Sequence, residues 1–253
     1  MENVLIMAGG RSSRMRSSTN SSIHKALLAV FDVPLIELNL LYAVFHKFNK
    51  IWISIAAAEE ELINHVKQLR INYMQNLKID INIIIEKEPL GTIGAAQFVG
   101  IDDDDLLVLN VDNLLNLDLN TLLNSHLHAD AVMTIASHHE PFKVPFGQLV
   151  VQGNTILDYL EKPEQMILVS SGTYVLSRIA RDLIREDYKN RQIDIPHLCK
   201  DLLAKGLRVH SFFHESIWID INDNETLKRM REMKKWPLID EIIKFRRELN
   251  LCF

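Results

Sequence analysis

Val4-Leu5-Ile6-Met7-Ala8 is apolar at every position, with no polar residue at alternate places. Successive side chains of a strand point to opposite faces, so such a run suits a strand covered on both sides. Strand-like apolar runs recur at Lys50–Ala56, Ile79–Glu86, Asp105–Val111 and Ala131–Ser137. Segments of helical period lie between them. Pro34–Phe48 sets Leu35, Leu38, Leu41 or Tyr42, and Phe45 on one face, with Pro34 suited to a first helical turn. Glu59–Leu69 and Leu119–His128 read the same way. Alternating strands and helices of this kind predict an α/β fold with a parallel sheet between helical layers. Ligands of such sheets bind beyond the carboxyl ends of the strands.

The pattern changes after about residue 140. Phe146–Val151 and Ile156–Leu160 read as a hairpin around Gly153-Asn154, and Met166–Leu176 as a further strand. Helical patterns return at Ser177–Tyr188 and Asp194–Lys205. Val209–Phe213 and Ile217–Ile219 read as short strands, Asn224–Lys234 and Leu238–Leu249 as terminal helices. The expected fold is Rossmann-like: a mostly parallel sheet sandwiched by helices, with a small antiparallel portion. One domain is expected over 1–236, with helix 237–253 packed on it or at an oligomer interface.

The first apolar run breaks into Gly9-Gly10-Arg11-Ser12-Ser13-Arg14-Met15, and Lys25 follows in His24-Lys25-Ala26. Glycines let an anion approach the backbone, exposed N–H groups form a nest, and Arg and Lys add full charges. The segment is built to receive phosphate. It is not a P-loop, which needs Gly, four residues and Gly-Lys-Ser/Thr, nor a three-glycine dinucleotide fingerprint. A plain strand-to-helix turn is the competing reading of Gly9-Gly10 alone.

Net charge of −5 argues against a general nucleic-acid binder. The two cysteines, Cys199 and Cys252, lie far apart without metal-ligand spacing and suit a reducing compartment. No signal peptide and no apolar stretch near the roughly 18 residues of a membrane span are read. The expectation is a cytoplasmic protein that binds neither nucleic acid nor membrane.

Asp112 follows the run Leu106-Leu107-Val108-Leu109-Asn110-Val111, and Asp220 ends Trp218-Ile219-Asp220. Two carboxylates at strand ends beside a triphosphate suit Mg²⁺, which takes one or two carboxylates plus phosphate oxygens and water. Helix capping is the alternative for each, and Asp223 fits a cap better than Asp220 does. Asp102–Asp105 precedes its strand and reads as a solvated loop. Glu86-Lys87-Glu88-Pro89-Leu90-Gly91-Thr92-Ile93-Gly94-Ala95-Ala96 runs from a strand end through a turn into a small-residue helix start. Close approach of a flat ligand or tight helix packing would both explain it. Glu161-Lys162 reads alone as a surface ion pair, and Gly172 marks a bulge or a ligand's approach. His126/His128 and His138-His139 read as loop or helix-surface residues, and no Ser/His/Asp arrangement stands out.

Together these pieces resemble the sugar-phosphate nucleotidylyltransferase family, from about residue 2 to about residue 232. Ala8-Gly9-Gly10-Arg11-Ser12-Ser13-Arg14-Met15 with Lys25 looks like its signature loop, Gly-Gly-x-Gly-Thr-Arg-Leu followed by Pro-Lys. Glu88-Pro89-Leu90-Gly91-Thr92 is similar to its base-binding turn, and Asn110-Val111-Asp112 to its Asn-Gly-Asp. Glu161-Lys162-Pro163, Ser171-Gly172-Thr173-Tyr174 and Trp218-Ile219-Asp220-Ile221 match its later motifs. The departures are Ser12 and Val111 for glycines, His24 for proline, Asn222 for another glycine, and one extra residue between Arg14 and Lys25. The loop also resembles the molybdenum-cofactor guanylyltransferase branch, whereas the later motifs favour the sugar branch. A β-helix acetyltransferase tail is not expected in 253 residues.

The resemblance implies joining of a nucleoside triphosphate to a sugar 1-phosphate, with release of pyrophosphate. It implies Arg14 and Lys25 as catalytic charges on the triphosphate. Ala8, Gly9, Gly10, Ser12, Ser13, Glu86, Gly91, Thr92 and Asn110 would bind nucleotide. Gly147, Glu161, Lys162 and Gly172 would bind the sugar phosphate, with Asp112 and Asp220 on Mg²⁺. The Glu-x-Glu-Pro-Leu-Gly-Thr form resembles guanylyltransferases, and Glu86 could accept from guanine N1–H and its amino group. CTP, UTP or dTTP, a non-sugar phosphate acceptor, and a catalytically silent nucleotide sensor stay open, as does homo-oligomerisation.

Overall fold

A computed structural model describes residues 3–10, 23–100, 104–221, 224–232 and 236–249. The chain opens with β1 (Asn3–Ala8) and, after a 3-10 turn at Lys25–Leu27, pairs β2 (Ala29–Val30) with β3 (Val33–Pro34). Then come α1 (Leu35–Phe45), β4 (Lys50–Ala56), α2 (Glu60–Leu77) and β5 (Asp80–Glu86). A 3-10 turn at Gly94–Phe98 leads to β6 (Leu106–Asn110), β7 (Asn113–Leu115) and α3 (Leu119–Ala129). Four strands follow: β8 (Met133–Lys143), β9 (Gln148–Gln152), β10 (Thr155–Leu160) and β11 (Glu164–Leu176). The chain continues through α4 (Arg178–Asp187), α5 (Ile195–Ala204), β12 (Val209–Phe213), β13 (Trp218–Asp220), α6 (Asn224–Glu232) and α7 (Pro237–Glu248).

The main sheet has the order β12-β8-β11-β6-β1-β4-β5. β1 runs parallel to β4 and β6, β4 to β5, and β12 to β8, whereas β11 opposes both its neighbours. The unbroken apolar run of β1 has the predicted cause. Val4, Ile6 and Ala8 enter a core shared with α1, α2, α3 and α7, while Leu5 and Met7 enter a second core under α4 and α5. The fold is the mixed α/β, Rossmann-like sandwich that the alternation predicts.

Helix α2 runs to Leu77, eight residues past the predicted Leu69. Leu62, Val66, Leu69 and Tyr73 are all buried at helical spacing, so one apolar stripe continues through the polar residues between them. The predicted helix start after Gly91 is only a 3-10 turn. Gln97 Nε2 donates to Gly94 O at 2.8 Å and Gly100 follows, so no further turn propagates. The acidic run is not wholly solvated either. Asn3 Nδ2 donates to Asp104 Oδ2 at 3.0 Å, and Arg181 donates to Asp104 O at 2.6 Å. Asp105 is half-buried beside His126, and desolvation raises its carboxyl pKa. Asp102 and Asp103 lie outside the described residues.

The C-terminal helix α7 packs on α1. Phe45 and Phe245 meet edge to face at 5.7 Å, and Arg246 Nε donates to the buried Glu37 Oε1 at 2.7 Å. At the other end of the molecule, the outer half of β8 and the first half of β11 leave the sheet body as a two-stranded ribbon. The β9–β10 hairpin is inserted between them, and residues 139–143, 155–160 and 164–168 of this arm are exposed throughout. Among the described residues no helix is long and apolar enough to cross a membrane.

Candidate active site

The carboxyl ends of β1, β5 and β6 open into one cleft of about 270 Å³. Gly9, Gly10, Lys25, Glu86, Gly91, Thr92, Asn110 and Asp112 line it, all of them singled out in the sequence. Pro89, part of the turn likened to a base-binding turn, lines it too, and Met7 and Gln192 line it as well and were missed. Gln192 arrives from the loop before α5, a hundred residues away, and carries no local signal.

Lys25 stands on the 3-10 turn and donates from Nζ to Asp112 Oδ2. His24 sets that turn. Its Nδ1 accepts from Ala26 N at 3.1 Å, which leaves the proton on Nε2 to donate to Gly10 O at 2.9 Å. The ring is 2% exposed. The residue that replaces proline therefore ties the glycine end of the loop to the lysine end. Arg14, Ser12 and Ser13, also predicted for this loop, lie outside the described residues.

Glu86 is buried and holds two elements. Ser54 Oγ donates to Oε1, and Leu90 N donates to Oε2 at 3.2 Å, which closes the turn after β5. A Cβ at Gly9 would collide with this carboxylate, so glycine lets β1 end against it without displacing Glu86 from Ser54 and Leu90. Ala8, in register with Ile55 of β4, is buried below. The next turn is braced from α5. Thr92 N donates to Asp194 Oδ1 at 2.8 Å, and Ile195 N donates to Thr92 Oγ1 at 2.9 Å. Gly91 has φ +81°, and a Cβ there would meet Ile193 O.

Asp220 reaches the same edge through the backbone. β13 pairs with β7 so that Asp220 lies opposite Asn113, and Ile221 N donates to Asp112 O at 2.9 Å. Gly172, φ +71°, sits in an irregular stretch of β11 against Asn110 and Asn113. Two strands and one bulge thus gather Asn110, Asp112, Gly172 and Asp220. Gly147, Glu161 and Lys162 are not brought to the cleft. Gly147 packs under Tyr159 on the arm, and Glu161 and Lys162 stand exposed there, 4.0 Å apart. Among the described residues no three His, Cys, Asp or Glu side chains converge as a metal group.

Two histidines predicted for the surface are buried. His126 Nδ1 lies 2.7 Å from Thr134 Oγ1. His138 Nδ1 lies 2.8 Å from Ser171 Oγ, which is 2.7 Å from His214 Nε2. Trp218 covers the set, its ring 4.4 Å from that of His138 and its Nε1 donating to Ser171 O. Residues 138, 171 and 214 come from β8, β11 and the end of β12, so no sequence spacing could reveal them. Desolvation, then the neighbouring His138, lowers the His214 pKa to about 4, below the roughly 6.5 of an unfolded histidine. Between those values the unfolded chain binds more protons. The stability contributed by neutral His214 is therefore full above about pH 6.5 and lost as pH falls toward 4. Thermal melts from pH 7.5 to 5 should show a steeper fall in Tm for wild type than for His214→Gln. Equal slopes would remove His214 as the cause.

The sequence profile of the nucleotidyl transferase family matches residues 3–232. The chain belongs to the nucleotidyl transferase family. A protein of Sulfolobus acidocaldarius, provisionally named a mannose-1-phosphate guanyltransferase, is 28% identical over 232 residues, which is 87% of this chain and 60% of that one. The mannose-1-phosphate guanyltransferase of Aspergillus oryzae is 26% identical over 229 residues, 86% of this chain and 60% of that one. The chain thus spans about 60% of the length of these curated relatives. The crystal structure of HddC from Yersinia pseudotuberculosis is 25% identical with a TM-score of 0.70, covering 93% of this chain and 100% of that one. In this member of the family the Gly9-Gly10 end of β1, the Gly91-Thr92 turn and the carboxylates Asp112 and Asp220 share one sheet edge.

Proposed function

We propose that the protein joins GTP to a sugar 1-phosphate, giving a GDP-sugar and pyrophosphate. The observation that carries this is the cleft in which Gly9, Gly10, Lys25, Glu86, Thr92, Asn110 and Asp112 face one space. Guanine is favoured over other bases because the curated relatives above are guanyltransferases and HddC has been crystallised with GMP-PN. The inositol-1-phosphate CTP transferase of T. maritima, at 14% identity, shares the fold and no more.

An oxygen of the sugar phosphate attacks the α-phosphorus in line. The new P–O bond forms as the bond to the β-phosphate oxygen breaks, and pyrophosphate leaves. Two anions meet, so alignment and neutralisation supply most of the rate. Lys25 balances negative charge at the triphosphate, with Arg14 assigned the same task from the sequence. The Gly9-Gly10 backbone admits the phosphates. Thr92, fixed by Asp194 and Ile195, presents the turn to the base, and Glu86, which also lines the cleft, holds that turn in place. Gly172 lets β11 approach Asn110 beside the sugar side.

Asp112 and Asp220 suit Mg²⁺. They are hard oxygen donors, two in number, held at neighbouring backbone positions, and no third protein ligand group converges among the described residues. That donor set leaves positions for phosphate oxygens and water. When bound there, the cation would neutralise phosphate charge. Glu161 and Lys162 are assigned to the sugar phosphate on the motif alone.

A pyrophosphate-release screen of each NTP against a panel of sugar 1-phosphates, with Mg²⁺, tests the reading. Turnover with GTP alone supports it. Turnover with another NTP, or binding of GTP without turnover for any pair, overturns it. A second expectation concerns His24. Removing its hydrogen bond to Gly10 O in His24→Ala should raise KM for the nucleotide on the order of tenfold, the size of one lost bond, with a smaller change in kcat. His24→Gln, which keeps a donor, should recover part of it. An unchanged KM in His24→Ala would dismiss the clamp.

A further inference from the structure

Ser171 is held by two groups that the proposed chemistry does not use. His138 Nδ1, from β8, lies 2.8 Å from its Oγ, and His214 Nε2, from just past β12, lies 2.7 Å from it. All three side chains are buried, with Ser171 0% exposed and each histidine 6%. One hydroxyl carries one proton, so it donates to one ring and accepts from the other. Burial lowers both histidine pKa values, so the rings are mostly neutral at pH 7. Burying three polar side chains costs desolvation that an apolar trio would not. A bonded set offsets that cost and fixes one arrangement of the groups it joins.

The group fixed here is the peptide between Ser171 and Gly172. The histidines grip the Ser171 hydroxyl, and the Ser171 carbonyl accepts from Trp218 Nε1 at 2.8 Å. The pairing of β11 with β8 is interrupted between Ser170 and Tyr174, so these bonds stand in for the ladder on that side. Gly172 has no room to spare, because a Cβ there would meet Asn113 Nδ2 and Asn110 Nδ2. Asn113 Oδ1 is buried and takes no hydrogen bond among the described residues, so packing against Gly172 orients that amide. Ser170 Oγ donates to the Tyr174 hydroxyl at 3.2 Å, and Tyr174 bonds the side chain of Asn110, which lines the cleft. We infer that His138 and His214 are positioning residues for the sugar-phosphate side of the cleft: through Ser171 they set where Gly172 stands on Asn110 and Asn113. The inference rests on the proposed reading of Gly172 as a sugar-phosphate contact. Glu86 and Thr92, on the nucleotide side, are held by Ser54, Leu90, Asp194 and Ile195 instead, so the two substrates should respond differently.

Steady-state kinetics of Ser171→Ala, His138→Ala and His214→Ala, with the NTP and sugar 1-phosphate that wild type turns over fastest, are the test. KM for the sugar 1-phosphate should rise about tenfold, the size of one lost hydrogen bond, while KM for the nucleotide stays unchanged. His138→Asn, which keeps a polar group near Nδ1, and His214→Gln, which keeps one near Nε2, should recover part of the loss. An unchanged sugar-phosphate KM, equal rises in both KM values, or no recovery in either conservative variant overturns the inference. Should a histidine variant not fold, Ser171→Ala, which removes a single oxygen, carries the test. Hydrogen exchange separates this inference from the reading of the reaction. In Ser171→Ala, residues 110–113 and 170–174 should exchange severalfold faster than in wild type, with residues 86–92 unchanged. If wild type turns over no pair, the proposed reaction falls and exchange alone decides, with equal exchange at residues 170–174 overturning the positioning role.

Discussion

Lys25→Ala is expected to lower kcat for pyrophosphate release about a hundredfold, the usual cost of roughly 3 kcal/mol for one preorganised charge removed from a transition state. Asp112→Ala should lose at least as much. The two residues touch and share the cleft mouth, so they form one electrostatic unit: Nζ donates to Oδ2, with side chains only 16% and 18% exposed. Residues that act as a unit are not additive. The double variant should therefore be little slower than the worse single variant, and a product of the two single losses would show independent roles. Stability should move far less than rate, because the pair lies at an open cleft where lost charge partners are replaced by water. Melts of all three variants would show this. Near-wild-type kcat in either single variant would remove these residues from the chemistry.

Arg246→Ala is expected to destabilise the fold by about 3–5 kcal/mol, the range for stripping one partner from a buried ion pair. Glu37 is 1% exposed within α1, and Arg246 of α7 is the cation that reaches its Oε1. The neighbours His65 and Tyr73 cannot replace it. Burial lowers the His65 pKa and raises that of Tyr73, so both stay neutral at pH 7. At about 2–4 °C per kcal/mol for a chain of this size, Tm should fall by roughly 6–20 °C. Glu37→Gln added to Arg246→Ala removes the stranded charge and should recover part of the loss. A drop below about 1 kcal/mol in urea titration, or no recovery in the double variant, would mean the carboxylate is neutralised some other way.

Much of this fold is legible in the residue order because its strands are satisfied only when buried on both faces. β1, β4 and β6 carry that requirement in their own letters. The end of α2 was readable too, since Tyr73 keeps the stripe of Leu62, Val66 and Leu69, but the polar residues between them hid it. The cleft residues were legible as strand-end and turn chemistry, from Gly9 to Asp112. The His138–Ser171–His214 set was not, because three distant segments create it. Nor was the clamp by His24, which as a sequence letter looked only like a missing proline. The apolar arm shows the opposite failure: its letters read as ordinary strands, and only the fold shows that no other described residue lies over their exposed side chains.

β11 is one strand of thirteen residues, about 44 Å long at the usual rise. Its first residues belong to the arm, its middle to the cleft edge and its last to the core. The irregular stretch between Ser170 and Tyr174 is the joint in this rod, and Gly172 is its pivot, lying directly on Asn110 and Asn113. A substitution that stiffens this joint is therefore expected to change the angle of the outer lever and the position of the asparagines together.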